Sequence, residues 1–294
     1  MKKLISILLT LLLAVCAVAC IAPEKETATP TVTEKAEASD LPVPSVTGEP
    51  LEPVELIIFA AASMTETLTE IAELYKTVAP HVTLTFSFES SGTLLTQIRE
   101  GAEADIFISA AQKQMNAIDI AADADKNPDG SDYVLSDTRF DLVENRIALV
   151  VPNGNPANIH SFEDLIAANS IALGNSDVPV GQYSEELLTN MGAWTDELKG
   201  KTTFGGNVKE VTTWVAEGVV DCGIVYATDA VSAKLEIVAY APDGAIKTLI
   251  LYPAAVLNTT KHQAEAIAFL NFLKTQAAAD IFRRVGFAIP PYTA

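Results

Sequence analysis

The sequence predicts an α/β protein of two lobes, each a mainly parallel sheet flanked by helices, with a ligand cleft between the lobes. Three observations predict it. From Val54 onward, short apolar strands alternate with amphipathic helical stripes, the rhythm of a doubly wound sheet. The chain builds one such block, then a second, and returns to the first at its end. Several strand-to-helix turns also carry small or hydroxyl residues, and ligands of open α/β sheets collect outside the carboxyl ends of the strands.

The first block opens with the strand Val54-Glu55-Leu56-Ile57-Ile58-Phe59, followed by a helical stripe of Leu68, Ile71, Ala72 and Tyr75 at i, i+3, i+4, i+7 spacing. Val82, Leu84, Phe86 and Phe88 alternate with Thr83, Thr85 and Ser87, which is period-two strand. Ser90-Ser91-Gly92 precedes a helix carrying Leu94, Leu95 and Ile98 that ends at Gly101, and Ile106-Phe107-Ile108 is a third strand. The second block begins with the strand from Arg146 to Val151. It continues through a helix over 162–168, a strand over 171–173, a helix from Ser184, a helix from Val208 to Glu217 and the strand Cys222 to Tyr226. Ile237 to Tyr240 and Leu249 to Tyr252 are strand-like. The end is helical through Ile267, Leu270 and Leu273, then Ile281, Phe282 and Val285, with Gly286 as a left-handed cap. No internal sequence repeat is evident. These elements divide the body into one lobe of residues 54–143 and 250–294 and a second of 144–249.

Ahead of the body, Lys2 and Lys3 precede an apolar run from Leu4 to Ala19 broken only by Ser6 and Thr10. It has the charged and hydrophobic regions of a signal peptide and is too short for an ordinary membrane span. Ala17-Val18-Ala19-Cys20 resembles the lipobox of bacterial lipoproteins, which implies a signal peptide of residues 1–20 and lipidation at Cys20. The alternative is ordinary secretory cleavage near Ala19. Residues 21–53 are dominated by Thr, Pro, Glu, Ala and Val without apolar periodicity. Such a segment buries too little surface to offset its ordering entropy and reads as a flexible tether spanning roughly 30 Å. The expected location is therefore extracytoplasmic, anchored to the cell membrane, or soluble in the periplasm if the cleavage is ordinary.

Hydrophobic residues make up 49% of the chain, ample for a packed core. Acidic residues outnumber basic ones 38 to 19, for a formal net charge of −19. No basic stripe is present of the kind a nucleic-acid binder shows. The far field of so acidic a chain repels anions, so any bound anion has to be held by local, uncharged donors. Of the three cysteines, Cys16 and Cys20 lie in the leader and Cys222 is alone in the body, so no disulfide or Cys-based metal site can form there. Cys222 sits in the apolar run from Val219 to Val225 and reads as a small buried hydrophobe.

Three turns carry residues suited to ligand binding: Ala60-Ala61-Ala62-Ser63-Met64-Thr65-Glu66, Phe88-Glu89-Ser90-Ser91-Gly92-Thr93 and Val178-Pro179-Val180-Gly181-Gln182-Tyr183. A helix N-terminus offers free backbone N–H groups and a positive dipole end, and small residues let a ligand approach the backbone. The structural alternative is an ordinary cap, since Ser63-Met64-Thr65-Glu66 also fits a capping box. The residue chemistry alone reaches as far as a small anion or zwitterion.

A resemblance narrows this. Phe59-Ala60-Ala61-Ala62-Ser63-Met64-Thr65, Phe86 to Leu94, Ala104 to Ala110, Val178 to Tyr183, Gly223 to Ala230 and Ile281 to Phe287 together resemble the molybdate-binding proteins of ABC importers. The motifs stand in matching order over residues 54–288. The resemblance implies a periplasmic-binding-protein-like fold and no catalytic step. It also implies a monomer that carries molybdate or tungstate to a membrane permease and its ATPase, with no cofactor beyond that ligand. By the same resemblance the oxyanion is held by Ser63 and Ser91 from one lobe, and by the backbone amides of Val180 and Val208 and by Tyr226 from the other. Another tetrahedral oxyanion such as sulfate remains open. So does a secreted hydrolase using Ser63 or Ser91, although the chain has no G-x-S-x-G elbow. His81, His160 and His262 carry no signature tying them to a serine.

Overall fold

The computed structural model describes residues 51–292. The expected signal peptide, Cys20 and all but the last residues of the tether lie outside the described residues. The described residues fall within one compact unit.

The chain enters β1 (Val54–Ala61), makes a single 3-10 turn (Ala62–Met64), and continues through α1 (Thr65–Tyr75), β2 (Val82–Glu89), α2 (Ser91–Arg99), β3 (Ile106–Ile108), α3 (Gln112–Asn116) and β4 (Phe140–Asn145). After Arg146 it builds β5 (Ile147–Val151), a 3-10 segment (Phe162–Ala167), β6 (Ile171–Gly174), α4 (Pro179–Asn190), α5 (Asp196–Gly200), β7 (Thr202–Gly205), α6 (Val208–Ala216), β8 (Cys222–Tyr226), α7 (Ala227–Ser232) and β9 (Glu236–Tyr240). It then returns through β10 (Ile250–Val256), α8 (Gln263–Leu273) and α9 (Gln276–Arg284).

Two five-stranded sheets result, ordered β2-β1-β3-β10-β4 and β7-β6-β8-β5-β9. In the first, β10 is antiparallel to both its neighbours while β1 pairs parallel with β2 and β3. In the second, β5 is the strand that runs against its neighbours. Each sheet is therefore mainly parallel with one reversed strand, and the two share one topology without a shared sequence repeat. The reversed strands are the ones through which the chain enters the second sheet and re-enters the first. Because β4 pairs Glu144 and Asn145 with Leu251 and Ile250, the crossover falls at Arg146, two residues beyond the boundary expected after residue 143.

Helices cover both faces of the first sheet, so its inner strands β1, β3 and β10 are mostly apolar and buried, while the edge strands β2 and β4 mix apolar with polar residues. One face buries Leu56 and Ile58 with Met64, Leu68 and Ile71 of the following segment and Phe269 of α8. The opposite face packs Phe59 and Phe107 against Leu94 and Ile98 of α2 and against Met115 and Ile118. Tyr75 stacks edge-on against Phe269, with ring centroids 5.0 Å apart, and so joins α1 to α8. Cys222 is fully buried in the second sheet and burial pushes its thiol up to about 12, as expected for a packed hydrophobe.

Several elements depart from the sequence expectation. β4 and β7 have no clear sequence signal: β4 carries Asp141 and Glu144 within its six residues, and β7 is only four residues long. The 162–168 helix is tightened to 3-10 form, with the Asp164 carboxylate accepting from the Ser161 N–H at 2.9 Å. The helix expected from Ser184 begins at Pro179, because a proline at the first helical position has a preset φ and no N–H to satisfy. Gly286 does end α9 at positive φ, +102°.

Replacing Phe269, fully buried against Tyr75, with alanine is expected to lower stability by about 3–5 kcal/mol. Urea denaturation of the two proteins checks it; a loss of less than about 1 kcal/mol contradicts the packing described.

Candidate functional site

The carboxyl ends of six strands face one another across the cleft. In the first sheet Ala61 pairs with Glu89 and Ala60 with Ile108, so β1, β2 and β3 finish side by side. In the second, Gly174 pairs with Gly205 at the ends of β6 and β7, and β8 ends at Tyr226. The turns just beyond these strand ends make the site. Ala61 ends β1 and Ala62 and Ser63 follow it, Ser90 and Ser91 come after β2, Ala110 after β3, Val178 and Pro179 after β6, and Val208 after β7. Together with Glu89 and Tyr226 they line one cavity of about 10 Å³, room for about one water-sized sphere. The cleft is shut on a very small space. Larger depressions lie elsewhere on the surface, including one of about 570 Å³ beside Arg139 and Tyr292, but no strand-end constellation opens into it.

Of the five residues implied by the resemblance, Ser63, Ser91, Val208 and Tyr226 line this cavity. Val180 lies one residue deeper, fully buried behind Pro179. Its N–H is nonetheless the spare donor of that helix start. Pro179 has no N–H, and the N–H groups of Gly181 and Gln182 both donate to the Val178 carbonyl. Glu89, Ser90, Ala110 and Val178 are wall residues that the sequence alone does not assign. They stand beside assigned residues in the same turns, but only the folded register shows which of them face inward.

The capping-box alternative for Ser63 does not hold. α1 has no side-chain cap, and the Ser63 hydroxyl instead meets Tyr252 Oη at 3.0 Å. The helix cap at the second turn is Ser90, whose Oγ accepts from the Thr93 N–H at 3.1 Å, which leaves Ser91 free for the cavity. Ser91 Oγ accepts from the Ala110 N–H at 2.9 Å, so its own proton is available to a ligand. Asn207 caps α6 by accepting from the Glu210 N–H, and Val208 follows as the first helical residue. Tyr226 Oη donates to the Ala110 carbonyl at 3.3 Å, joining the two lobes.

Burial drives the Tyr226 and Tyr252 hydroxyls well above their ordinary range, with the charges of Tyr252 and Asp229 adding to it at Tyr226 and that of Asp229 at Tyr252. Both therefore stay protonated and remain donors. No cation lines the cavity. Lys209, which follows the wall residue Val208, spans the lobes to Glu66 at 2.7 Å and touches Asp229 at 3.2 Å, so two carboxylates neutralise it. Burial pulls the Lys209 ammonium down, but Asp229 and Glu66 more than offset this and hold it above its ordinary value. Asp229 is fully buried. Its contact with Lys209 lacks hydrogen-bond alignment, so both carboxylate oxygens are without a hydrogen-bond partner. Desolvation raises it to about 6 despite Lys209.

Neither serine has a histidine within hydrogen-bond reach. His160 contacts Asn158, and His262 precedes α8. Among the described residues no cluster of three or more His, Cys, Asp or Glu could hold a metal ion, and no helix is long and apolar enough to cross a membrane.

The closing geometry also explains a glycine. Gly92, at the start of α2, packs against the Asp177 carbonyl of the opposite lobe, and a Cβ there would overlap that oxygen.

Two topologically alike sheets that meet strand end to strand end over a small donor-lined cavity define the class: a two-lobed receptor for a small solute. The chain belongs to the bacterial extracellular solute-binding protein family, whose description matches residues 56–288, and it is accordingly an extracytoplasmic binding protein. It is similar to a Bacillus subtilis protein named "Putative ABC transporter substrate-binding lipoprotein YvgL", 38% identical over 80% of this chain and 86% of that one. It is also similar to the molybdate-binding protein ModA of Escherichia coli, 35% identical over 80% of this chain and 89% of that one. Among solved structures it shares the fold of a periplasmic molybdate-binding protein of Azotobacter vinelandii, with a TM-score of 0.68, 22% identity, and coverage of 80% of this chain and 99% of that one.

Gly92→Ala is expected to weaken ligand binding at least tenfold while leaving thermal stability nearly unchanged, because the methyl group holds the lobes apart; titration and a thermal melt of the same sample check it. The Asp229 carboxyl, held at about 6 in the fold against 3.8 when unfolded, makes the native state bind the extra proton between those values. Stability therefore falls as pH rises through that window, by up to about 3 kcal/mol. Asp229→Asn removes this contribution, and chemical denaturation across the pH series reads it; identical pH slopes for the two proteins refute it.

Proposed function

We propose that this protein is the receptor of an ABC importer that captures molybdate, or the nearly identical tungstate, between its lobes and delivers it to a membrane permease with its ATPase, without a catalytic step. The observation that carries the reading is the convergence of three hydroxyls and several helix starts on one small cavity that no cation lines. The names of the relatives support the same ligand class.

Ser63 and Ser91 each supply an O–H, and the backbone amides of both serines, Val180 and Val208 supply N–H groups, giving up to about six donors; Tyr226 adds a seventh by turning its proton from the Ala110 carbonyl to the ligand. A set that only donates suits a fully deprotonated tetrahedral dianion. A hydrogen phosphate brings a proton that needs an acceptor, and burying it unmatched costs about 1–3 kcal/mol. Glu89, the one ionisable carboxylate in the wall, is engaged across the seam with Asn207 Nδ2 at 3.5 Å. The helix starts contribute partial positive charge at short range, which the screened negative far field of the protein does not cancel. The anion docks on the serine-bearing lobe and the second lobe closes over it. Water is expelled, and each bond strengthens as the local dielectric falls. Selection of molybdate over sulfate then rests on the size to which the closed cavity adjusts. In this reading the Cys20 anchor and the 21–53 tether keep the receptor near the permease.

Calorimetric titration of the purified protein with molybdate, tungstate, sulfate and phosphate tests the proposal. Molybdate binding with Kd of about 1 μM or tighter supports it, and its absence overturns it. A tighter fit for sulfate redirects the assignment to that oxyanion. Ser63→Ala is expected to weaken molybdate binding by about 10- to 100-fold, the worth of a hydrogen bond to a charged group.

A further inference from the structure

Behind Ser63 lies a buried hydrogen-bond chain whose inner members, Asn145 and Tyr252, do not line the cavity. Asn145 ends β4 at the crossover between the lobes, and its Oδ1 accepts from the Arg146 N–H at 2.8 Å. A backbone N–H can only donate, so this contact fixes which end of the amide is oxygen. Nδ2 then carries both side-chain protons, and they go to Thr228 Oγ1 at 2.8 Å, in the second lobe, and to Tyr252 Oη at 3.1 Å, in the first. Tyr252 Oη has one proton of its own and one remaining partner, Ser63 Oγ at 3.0 Å. Tyr252 is fully buried, so no bulk water competes for that proton. Every bond in the chain therefore has a fixed direction: Arg146 to Asn145, Asn145 to Tyr252, Tyr252 to Ser63. Ser63 Oγ is left as the acceptor of that bond, with its own proton turned toward the cavity.

We infer that Tyr252 is a positioning and specificity-determining residue, oriented by Asn145, which sets Ser63 as a donor toward the bound anion and so disfavours oxyanions that carry a proton. The inference rests on the proposed oxyanion function and deepens it. A serine hydroxyl can ordinarily rotate to donate or accept. Here the Tyr252 proton takes one of its two lone pairs and keeps the serine proton free to donate, so Ser63 meets the anion as a donor first and is a poorer acceptor for a protonated oxyanion. Donors in series also polarise one another, which strengthens the terminal bond. Asn145 also donates to Thr228 beside the crossover, where the Ala227 N–H bonds the Arg146 carbonyl, so its amide is held from both lobes.

Tyr252→Phe removes the hydroxyl and keeps the ring that packs edge-on against Tyr226 and Phe287 at 5.6 and 5.4 Å. Asn145→Asp is a second variant: its carboxylate accepts the Tyr252 proton, turning it away from Ser63. The experiment is calorimetry at neutral pH, where inorganic phosphate always carries a proton, with molybdate and phosphate on the wild type, both variants, Ser63→Ala and the Ser63→Ala/Tyr252→Phe pair. Tyr252→Phe and Asn145→Asp are each expected to weaken molybdate binding about three- to tenfold and to narrow the preference for molybdate over phosphate. In the Ser63→Ala background, Tyr252→Phe is expected to change molybdate affinity less than twofold, since the two act as one unit. The inference is overturned if Tyr252→Phe leaves wild-type affinity unchanged, or if it costs the same factor with and without Ser63, which is what a merely structural role produces. Absence of molybdate binding by the wild type refutes the functional reading itself, a result distinct from either of these.

Discussion

Helix starts that point inward without a counter-cation are the constraint on which the site depends. The first N–H groups of a helix have no partner within it, and leaving them buried and unmatched is costly. Here several such starts meet at one place, yet neighbouring side chains cap only some of them: Ser90 and Asn207 each satisfy one N–H of their own helix, while the first turn of α1 has no side-chain cap at all. The cavity thus carries a standing surplus of donors. A chain with a net charge of −19 that concentrates donors in one spot creates a local potential opposite to its global one, and a compact dianion satisfies that surplus.

The seam between the lobes is built from polar contacts of modest strength. Lys209 bridges to Glu66, Tyr226 donates to the Ala110 carbonyl, Asn145 reaches Thr228, and Gly92 permits close backbone approach. Exposed or partly exposed ion pairs of this kind contribute little individually, and that suits a joint that must open and close. The exception is Asp229, buried without hydrogen-bond partners beside Lys209. Its desolvation is an unfavourable term in the folded state, carried by the second lobe beside the seam.

The two sheets repeat one strand order around different sequences. This is what makes a cleft of the required kind. Each sheet brings three parallel strand ends, and with them three strand-to-helix turns, to the same edge. The reversed strands β5 and β10 carry the chain between lobes, so the hinge and the binding edge belong to the same layer of structure. Asn145, the last residue of β4, stands where these two roles meet.

The alternation of strand and helix, the two-block organisation and the anion-suited turns at Ser63 and Ser91 were determined by the sequence, because period-two and period-3.6 patterns and small residues at strand ends are local properties. Strands such as β4 and β7 were not legible there; their charged or short segments become strands only because neighbours in the sheet supply the hydrogen bonds. The start of α4 at Pro179, the inward-facing Val178 and Ala110, and the displacement of Val180 behind the proline were likewise decided by tertiary structure. So was the role of Ser63: four residues in a row fit a capping box, and the hydroxyl was withdrawn from that use by Tyr252, 189 positions away. Local sequence sets what a side chain is able to do. Which partner claims its proton depends on residues that only the fold brings within 3 Å.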